Sequence, residues 1–476
     1  MKQIKIVFLL FLIAFICRLV LIKISFWTSP DALEYLNVAK NLANGQGFIK
    51  TVKIHHFDQN PIIRSAIGTK PPLYSLFIYP LYKILPSPYF IQFINLVLGA
   101  VSIIIFYFLS TQYLNSKWSF VAALLFALNP DYLINNRLIL TEPLFLCLAF
   151  SAIYFSFNLK KNYLPTALFS ALSYLTRTEG IIIILITTIN YLYKKQYKYL
   201  IKLWLLFLFL LLPYFWYNFK INGSAFYSVG NFHFITLDFL NTTFNNYDQP
   251  VLPMFEFIKT NSTQIINKIF INSQILIKTI IRPSGLGWLV FLALMVKSIK
   301  KNYYLFLIAF LNFLIVSFTW GIVLDSPRYL ALTYGLLIIL AIYSLSKTNR
   351  KAQILILGST FLFYLVFDSH RLYWARTQFD PNWQGEKINN VMNIILTKTN
   401  NQQVVAAPNP GLVNIKTNRP SVILPNNLND KLIEKFINDY QPKAFLIGSQ
   451  KSLTFSTLMK SKWEKITIEP YFLFIR

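Results

Sequence analysis

Residues 4–45 read IKIVFLLFLIAFICRLVLIKISFWTSPDALEYLNVAKNLANG, and this stretch decides the fold. Its first part, residues 4–24, is an apolar run as long as the roughly 20 residues that a membrane-spanning helix needs. A secretory signal peptide is the alternative interpretation, but the run contains Arg18, shows no clear small-x-small cleavage site and leads directly into a polar segment. We therefore predict an uncleaved first span.

The polar segment that follows has the signals of a helix. Ser29 is a suitable N-cap, Pro30 suits the first helical position, and Gly45 suits the end of the helix. Apolar residues between them form one side, which predicts a helix lying on the outer surface of the membrane. Asp31 and Glu34 fall in its first turn, where acids also simply complement the positive end of a helix.

Similar apolar runs recur along the chain. Hydrophobic residues make up 55% of the 476 residues and charged residues only 13%, where a soluble domain has about 25% charged residues. The runs predict spans at 4–24, 90–111, 118–133, 140–158, 164–176, 180–193, 200–218, 286–299, 302–321, 327–346 and 351–367. A further apolar piece, residues 73–85, lies between prolines and is predicted to be an interfacial or re-entrant helix. The predicted fold class is a polytopic α-helical membrane protein of about 11 spans.

The distribution of charge supports this class and gives an orientation. Lys and Arg number 45 against 18 Asp and Glu, a net charge of +27. A nucleic-acid-binding protein would interleave these bases with aromatic residues on a polar surface, but here many of them lie in short loops between apolar runs. Bases without any acid occupy the loops 112–117, 159–163, 194–202, 297–303 and 347–351. The positive-inside rule then predicts a cytoplasmic N-terminus in the plasma (inner) membrane, with the bilayer rather than nucleic acid as partner.

Three segments fall on the outer side: residues 25–72, 219–285 and 368–476. The last changes character, because short apolar runs alternate with polar helical patterns. Strands are predicted at Val404–Ala407, Ser421–Leu424, Ala444–Gly448 and Tyr471–Ile475, and helices at Asp430–Tyr440 and Ser452–Lys460. We therefore divide the chain into a transmembrane domain, 1–367, and a small extracytoplasmic α/β domain, 368–476.

Ionisable residues gather at the outer ends of the predicted spans. They are Asp31, Glu34, Lys70, Glu142, Arg177, Glu179, Asp325 and Arg328. Each alone could be an interfacial anchor whose charge reaches for water, but charges are costly near a membrane and a common depth predicts one functional pocket.

At this point the chain resembles the polytopic glycosyltransferases of the GT-C type that use a lipid-linked sugar, in particular the protein O-mannosyltransferase and aminoarabinose transferase group. The residues that carry the resemblance are SPDALEY at 29–35, KPPLY at 70–74, NP at 129–130, TEPLF at 141–145, LTRTEG at 175–180 and PRYL at 327–330. Their order and common membrane side are more specific than any one motif.

The resemblance implies a role for each of these charged residues. Asp31 corresponds to the catalytic carboxylate of the first outer loop, and Lys70 to the lysine that contacts the donor phosphate. Two departures leave the substrates open. Thr69 stands where aminoarabinose transferases carry Glu, and Ala32 follows Asp31 where protein mannosyltransferases carry a second acid.

We expect the donor to be a polyprenyl-phosphate-linked sugar and the acceptor a lipid, a glycan or a protein. Asp31 would act as general base, with inversion at the anomeric carbon. Lys70, Arg328 and Arg177 would bind the donor phosphate. The residues expected to orient substrate are Glu34, Glu142, Glu179, Asp325 and Tyr329.

We expect no cofactor and no metal. His55 and His56 are followed by Asp58, but adjacent histidines rarely point at one ion, and no spaced His or Cys pair supports them. Two other classes of function remain open at this stage. A transporter or lipid flippase would also be polytopic and basic, although its charged residues should lie near the bilayer midplane. A structural or assembly membrane protein would need no such cluster.

Overall fold

The computed structural model describes residues 2–22, 29–56, 61–66, 70–136, 138–227, 247–248, 254–319, 327–377, 385–425, 429–448 and 463–476. The described residues up to 398 are mainly helical. The helices of the first half are α1 (Lys2–Ile22), α2 (Pro30–Ala43), α3 (Leu73–Ile84), α4 (Pro88–Ser110), α5 (Ser116–Ala127), α6 (Pro130–Asn135), α7 (Glu142–Ser156), α8 (Leu159–Thr176), α9 (Ile181–Tyr193) and α10 (Tyr197–Asn222). They are followed by α11 (Met254–Thr260), α12 (Ser262–Ile281), α13 (Leu289–Ala293), α14 (Val296–Lys301), α15 (Tyr303–Thr319), α16 (Ala331–Leu345), α17 (Arg350–Thr377) and α18 (Glu386–Lys398).

Among the described residues, five helical stretches are long and apolar enough to cross a membrane. They are Gln3–Val20, Pro88–Ser110, Tyr197–Asn222, Pro327–Leu345 and Arg350–His370, and four shorter apolar helices accompany them. Only 11% of the residues of Arg350–His370 are buried within the protein, so its apolar side chains are left to face lipid. The protein is a helical membrane protein, while the number of 11 spans stays a prediction.

Two of the predicted spans are wrong in detail. The predicted span 286–299 is two short helices, α13 and α14, because Met295 between them has non-helical backbone angles (φ −58°, ψ 130°). The predicted span 118–133 breaks between α5 and α6, where Asn129 caps the new helix by accepting a hydrogen bond from the backbone of Tyr132. A Pro at the start of α6 removes a backbone donor that would continue the helix.

The predicted outer loop 219–285 contains a 20-residue helix, α12, that packs against α15. Its polar residues hid it from a hydropathy pattern. Lys268 and Asn272 are buried inside the protein, and the Asn272 amide donates a hydrogen bond of 3.0 Å to the Ser317 carbonyl oxygen. Polar groups that face neighbouring helices lower the mean hydropathy of a helix, although these groups are themselves shielded from lipid.

Buried polar side chains join the helices near the ends of α1 and α6. Arg18 is fully buried, and its guanidinium donates to the Asn136 side chain at 3.2 Å and lies 5.1 Å from the ring centre of Tyr132. This close approach requires Gly99, because a Cβ there would lie 2.0 Å from the Asn136 side-chain oxygen. A second pair, Arg282 and Asp131, ties α12 to α6 at 2.9 Å.

The tail forms a sheet with helices on both faces. Its strands are β4 (Val405–Ala407), β5 (Ser421–Ile423), β6 (Ala444–Gly448), β7 (Glu464–Ile468) and β8 (Tyr471–Ile475), with the helices α19 (Pro410–Thr417) and α20 (Asp430–Tyr440). The four strands and the helix 430–440 predicted from the sequence are found to within a residue, while the helix predicted at Ser452–Lys460 lies outside the described residues. α18 and α19 pack on one face of the sheet and α20 on the other.

A strand from the first outer segment completes this sheet. That segment carries β1 (Ile49–Lys50), β2 (Val52–Lys53) and β3 (Ser65–Ala66), and β1 pairs with β3. The order of the larger sheet is β2-β5-β4-β6-β8-β7, with β2 parallel to β5. The segment between the first two transmembrane stretches is therefore built into the tail, a connection that crosses the predicted boundary at residue 367.

Candidate active site

Helix α2 carries the first two acids of the site, and its ends are fixed as the sequence predicts. The Ser29 hydroxyl accepts a hydrogen bond of 3.1 Å from the backbone of Ala32, which satisfies one of the free donors at the helix start. At the other end Asn44 is the cap and Gly45 follows with a φ of +73°. Asp31 and Glu34 lie one turn apart in this helix, so their carboxylates project from neighbouring positions on one side.

Lys70 lies between these two carboxylates. Its ammonium is 2.7 Å from an Asp31 oxygen and 2.6 Å from a Glu34 oxygen. It also lies 4.7 Å from the ring centre of Tyr35, which adds a favourable cation–π contact. Glu34 is buried, whereas a third of the Asp31 side chain is exposed. Asp31 is therefore the acid of this pair that an incoming molecule can reach.

Arg328 approaches Asp31 from the far end of the sequence. It lies in the single turn Pro327–Leu330 that precedes α16, and one of its terminal nitrogens is 2.7 Å from the second Asp31 oxygen. The guanidinium also packs 4.6 Å from the ring centre of Tyr329. Both oxygens of Asp31 are thus held by cations, one from Lys70 and one from Arg328.

A second set of charges continues from Arg328. Its Nε is 3.8 Å from a Glu142 oxygen, and the same oxygen is 2.9 Å from Arg177. The other end of Arg177 is 2.6 Å from Glu179, so this one guanidinium joins two carboxylates. Pro143 at the start of α7 and the short turn Thr178–Gly180 set the backbone that presents these groups.

The loop before Glu142 is held by a buried amide. The Asn95 side chain donates two hydrogen bonds of 2.9 Å, to the carbonyl oxygens of Leu138 and Leu140, and accepts one of 3.0 Å from the Tyr74 hydroxyl. This connects α3 and α4 to the residues that lead into Glu142. The loop that leads into Glu142 is therefore held in place by hydrogen bonds to the surrounding helices.

The seven charged residues form one continuous chain of alternating sign. In order they are Glu34, Lys70, Asp31, Arg328, Glu142, Arg177 and Glu179. Four carboxylates face three cations, so the cluster carries one negative charge in excess. Each of the three cations already has a carboxylate partner, so an added anion would meet a cation that is already paired with an acid.

The pairing controls the protonation of the exposed acid. Burial alone would raise the pKa of the Asp31 carboxyl, but Lys70 and Arg328 outweigh it and hold that pKa well below its usual range. The pKa of the Glu34 carboxyl is also lowered, since Lys70 and neighbouring bases outweigh its burial. The pKa of Lys70 is raised because its two acids outweigh the cost of burying the ammonium. All three groups are therefore charged at neutral pH.

His55 and Tyr35 belong to this site, and the sequence analysis gave neither of them a role in it. His55 is half-buried within electrostatic reach of Glu34 and Lys70, and desolvation lowers its pKa to about 4, so the ring is neutral. Its neighbour His56 lies on the other side of the strand-like backbone and donates from Nε2 to the Ile423 carbonyl oxygen at 2.8 Å. Successive side chains of an extended segment point to opposite sides, so the sequence already implied that His55 and His56 have different surroundings.

The structure brings most of the predicted site residues together. Asp31, Glu34, Lys70, Glu142, Arg177, Glu179, Arg328 and Tyr329 are in one cluster, and Asp325 lies outside the described residues. No group of three His, Cys, Asp or Glu side chains within the described ranges converges as a metal site would need. The absence of a metal from the reaction stays a prediction.

Comparison with known proteins reveals similarity in structure but not in sequence. No family model matches the chain, and no curated protein is detectably similar to it in sequence. The crystal structure of ArnT from Cupriavidus metallidurans bound to undecaprenyl phosphate superposes with a TM-score of 0.64 at 11% identity, covering 98% of this chain and 97% of that one.

Two structures of an archaeal enzyme share the same architecture. The Archaeoglobus fulgidus oligosaccharyltransferase tethered to an acceptor peptide gives a TM-score of 0.60 at 11% identity, over 92% of this chain and 69% of that one. The AglB oligosaccharyltransferase of the same organism, in complex with an inhibitory peptide and a dolichol-phosphate, gives 0.59 at 10% identity, over 97% and 73%. The chain therefore has the fold of the GT-C type glycosyltransferases that its motifs resemble.

Proposed function

We propose that the protein is an integral membrane glycosyltransferase that moves a sugar from a polyprenyl phosphate donor to an acceptor hydroxyl. The observation that carries this proposal is that the Lys70 ammonium and the Arg328 guanidinium each lie 2.7 Å from an oxygen of Asp31. Such a site combines one carboxylate that can take a proton with two fixed cations that can receive a phosphate. Undecaprenyl phosphate, a lipid phosphate of the kind that such a donor would release, is bound in the ArnT structure.

Binding of the donor would change the partners of the two cations. The phosphate would compete with Asp31 for Lys70 and Arg328, since each of these cations already lies 2.7 Å from an Asp31 oxygen. Arg328 can hold phosphate through two parallel hydrogen bonds, whereas Lys70 acts as a point charge. Loss of these partners would raise the pKa of Asp31 toward its ordinary value, and the carboxylate would become a better base when the donor is in place.

The transfer step then follows from the same residues. Asp31 would accept the proton of the acceptor hydroxyl as the hydroxyl oxygen forms a bond to the anomeric carbon of the donor sugar. The bond between that carbon and the phosphate oxygen breaks, and its electron pair leaves with the lipid phosphate. Lys70 and Arg328 would stabilise the charge that develops on this leaving oxygen. A single displacement of this kind inverts the anomeric configuration.

The remaining charged residues would shape the pocket. Arg177 is held by Glu142 and Glu179, so we assign it to long-range stabilisation of the phosphate rather than to direct contact. Glu34 would keep Lys70 in place when Asp31 is released, and Tyr329 and Asp325 would orient substrate. The acceptor class stays open among lipid, glycan and protein.

The orientation and the domain division are part of the same proposal. The acid-free basic loops put the N-terminus in the cytoplasm of a cell with a plasma (inner) membrane. The charged cluster and the tail, 368–476, then lie on the extracytoplasmic side, where an acceptor outside the cell membrane is available.

The test is transfer of radiolabelled sugar from a lipid extract by the purified protein. We expect transfer by the wild type and a loss of at least about 100-fold in Asp31→Asn, in line with general-base catalysis. Asp248→Asn is the matched control, because Asp248 is exposed, lies outside the charged cluster and pairs with the surface residue Lys435. Unchanged transfer by Asp31→Asn would remove the base role. No transfer from any polyprenyl phosphate donor, together with movement of substrate across vesicles, would instead favour a transporter.

A further inference from the structure

Helix α2 has a second buried side, which faces the tail rather than the charged cluster. Its residues Ala32 to Ala39 are all buried, and α19 of the tail packs directly against it. Leu33 is part of the hydrophobic cluster that α18, α19 and the central strands of the sheet form. The helix that carries Asp31 and Glu34 is therefore shared between the transmembrane helices and the tail.

A closed set of hydrogen bonds fixes this contact. The buried Asn37 amide of α2 donates 2.7 Å to the Asn414 side-chain oxygen of α19 and 2.8 Å to the Thr51 hydroxyl. Thr51 returns a backbone hydrogen bond of 2.9 Å to Asn37. The Asn414 amide donates to Thr51 and, at 2.7 Å, to the Arg419 carbonyl oxygen. The amides of Asn37 and Asn414 are thus both donor and acceptor, a role that no apolar residue can replace.

Two further contacts act on the same helix. The Lys40 ammonium donates 3.2 Å to the backbone oxygen of Asn414. Gly411, in the first turn of α19, touches Leu33 so closely that an added Cβ would lie 2.6 Å from the Leu33 Cβ. Real Cβ atoms do not approach to such a distance, so a methyl group at residue 411 would have to push α2 away.

Leu33 stands in α2 between Asp31 and Glu34, while the cations that these acids meet stand on other elements. Lys70 lies before α3, and Arg328 lies before α16. A shift of α2 relative to the tail would therefore move both carboxylates against fixed cations. Reacting groups lose their advantage when they are misplaced by as little as about 1 Å, at a cost of about 100-fold in rate.

We infer that Asn414 and Gly411 of the tail are positioning residues for Asp31 in the transfer reaction, acting through Asn37 and Leu33. The inference rests on the proposed function. It assigns the tail a part in catalysis: the tail holds the catalytic helix at the depth and rotation that the reaction needs.

The test uses two opposite changes at one contact in the full-length protein. Asn414→Ala removes hydrogen bonds, and Gly411→Ala adds a methyl group. We expect each to lower kcat for sugar transfer by about 10-fold or more while KM for the donor stays within about twofold. The matched controls are Asn418→Gly, at the exposed end of α19 where the left-handed backbone (φ +59°) suits glycine, and Gly358→Ala, where an added Cβ meets no atom within 4 Å. Both controls should keep kcat.

A background without the base separates positioning from a general loss of structure. In Asp31→Asn the residual rate should not fall further when Asn414→Ala is added, because the residue that Asn414 positions is already gone. A further fall of 10-fold would mean that Asn414 acts in another way and would overturn the inference.

Hydrogen exchange gives a readout that does not depend on activity. Asn414→Ala and Gly411→Ala should speed exchange of the amides of α2 and leave those of α4 unchanged, whereas Asn418→Gly should not affect α2. An active wild type with unchanged kcat in both variants would overturn this inference alone. A wild type that transfers no sugar would overturn the proposed function and the inference with it.

Discussion

The guanidinium of Arg328 lies 2.7 Å from the carboxylate of Asp31, although 297 residues separate the two in the sequence. The contact joins the turn before α16 to the helix that follows the first span. It places a fixed cation beside the proposed proton acceptor, with Lys70 on the other oxygen of the acid. In the proposed mechanism, the phosphate of an incoming donor would take over these two cations from the carboxylate.

Loss of the lysine should weaken donor binding. Lys70→Met is expected to lower the affinity for undecaprenyl phosphate by about 10- to 100-fold, because a hydrogen bond to a charged group contributes roughly 1.5–3 kcal/mol. Lys70→Arg should keep most of the affinity. The control is Lys83→Met, an exposed lysine at the end of α3. The measurement is titration of undecaprenyl phosphate into detergent-solubilised protein. Wild-type affinity in Lys70→Met would contradict the proposal that Lys70 binds the phosphate.

The lowered pKa of Asp31 predicts a defined pH dependence of stability. A carboxyl whose pKa is lower in the folded state than the value of about 3.9 in an unfolded chain stabilises the fold above that value. This stabilisation is lost as the pH falls toward the folded-state pKa. Free energies of unfolding should therefore differ most between wild type and Asp31→Asn at neutral pH, and the difference should shrink below about pH 4. A difference that grows in acid would contradict the lowered pKa.

Arg177 is predicted to be the main structural cation of the second set of charges. Arg177→Ala would leave Glu142 and Glu179 without their shared partner, and breaking a buried pair in this way costs about 3–5 kcal/mol. Arg177→Lys should be intermediate, because an ammonium cannot join two carboxylates as a guanidinium does. Thermal unfolding in detergent is the measurement. An unchanged melting temperature in Arg177→Ala would show that the two acids find other partners.

Gly99 should not tolerate a side chain. A Cβ would overlap the Asn136 oxygen and approach the Arg18 guanidinium, so Gly99→Ala should lower the free energy of unfolding by about 1–3 kcal/mol. Gly358→Ala is the comparison, since that helical glycine faces open space and alanine is the better helix former. Equal stability of the two variants would mean that Arg18 and Asn136 move apart without cost.

Much of the fold follows from the sequence because apolar runs and prolines act locally. The helix at 30–43 was predictable from its caps, and the tail strands from short apolar runs between polar helices. The helix 262–281 was not, since the buried polar residues Lys268 and Asn272 interrupt its hydropathy pattern. The strand at 52–53 is only two residues long, and its partner lies at residue 421. No local pattern predicts such a pairing.

The residues of the candidate site were predictable from the sequence, but the ion pairs between them were not. Common depth and a family resemblance brought Asp31, Lys70 and Arg328 into one hypothesis. The pairing itself depends on the packing of α2, α3 and α16, so the sharing of Lys70 between two acids could not be read from the chain. The role of His55 was hidden for the same reason, because its neighbours come from α2 and from Lys70 rather than from its own segment.

The most direct test of the central claim is a structure of the protein with undecaprenyl phosphate bound. The account predicts the phosphate within hydrogen-bonding distance of both Lys70 and Arg328, with the Asp31 carboxylate released from at least one of them. A phosphate bound elsewhere, with the contacts of 2.7 Å between Asp31 and both cations intact, would contradict it.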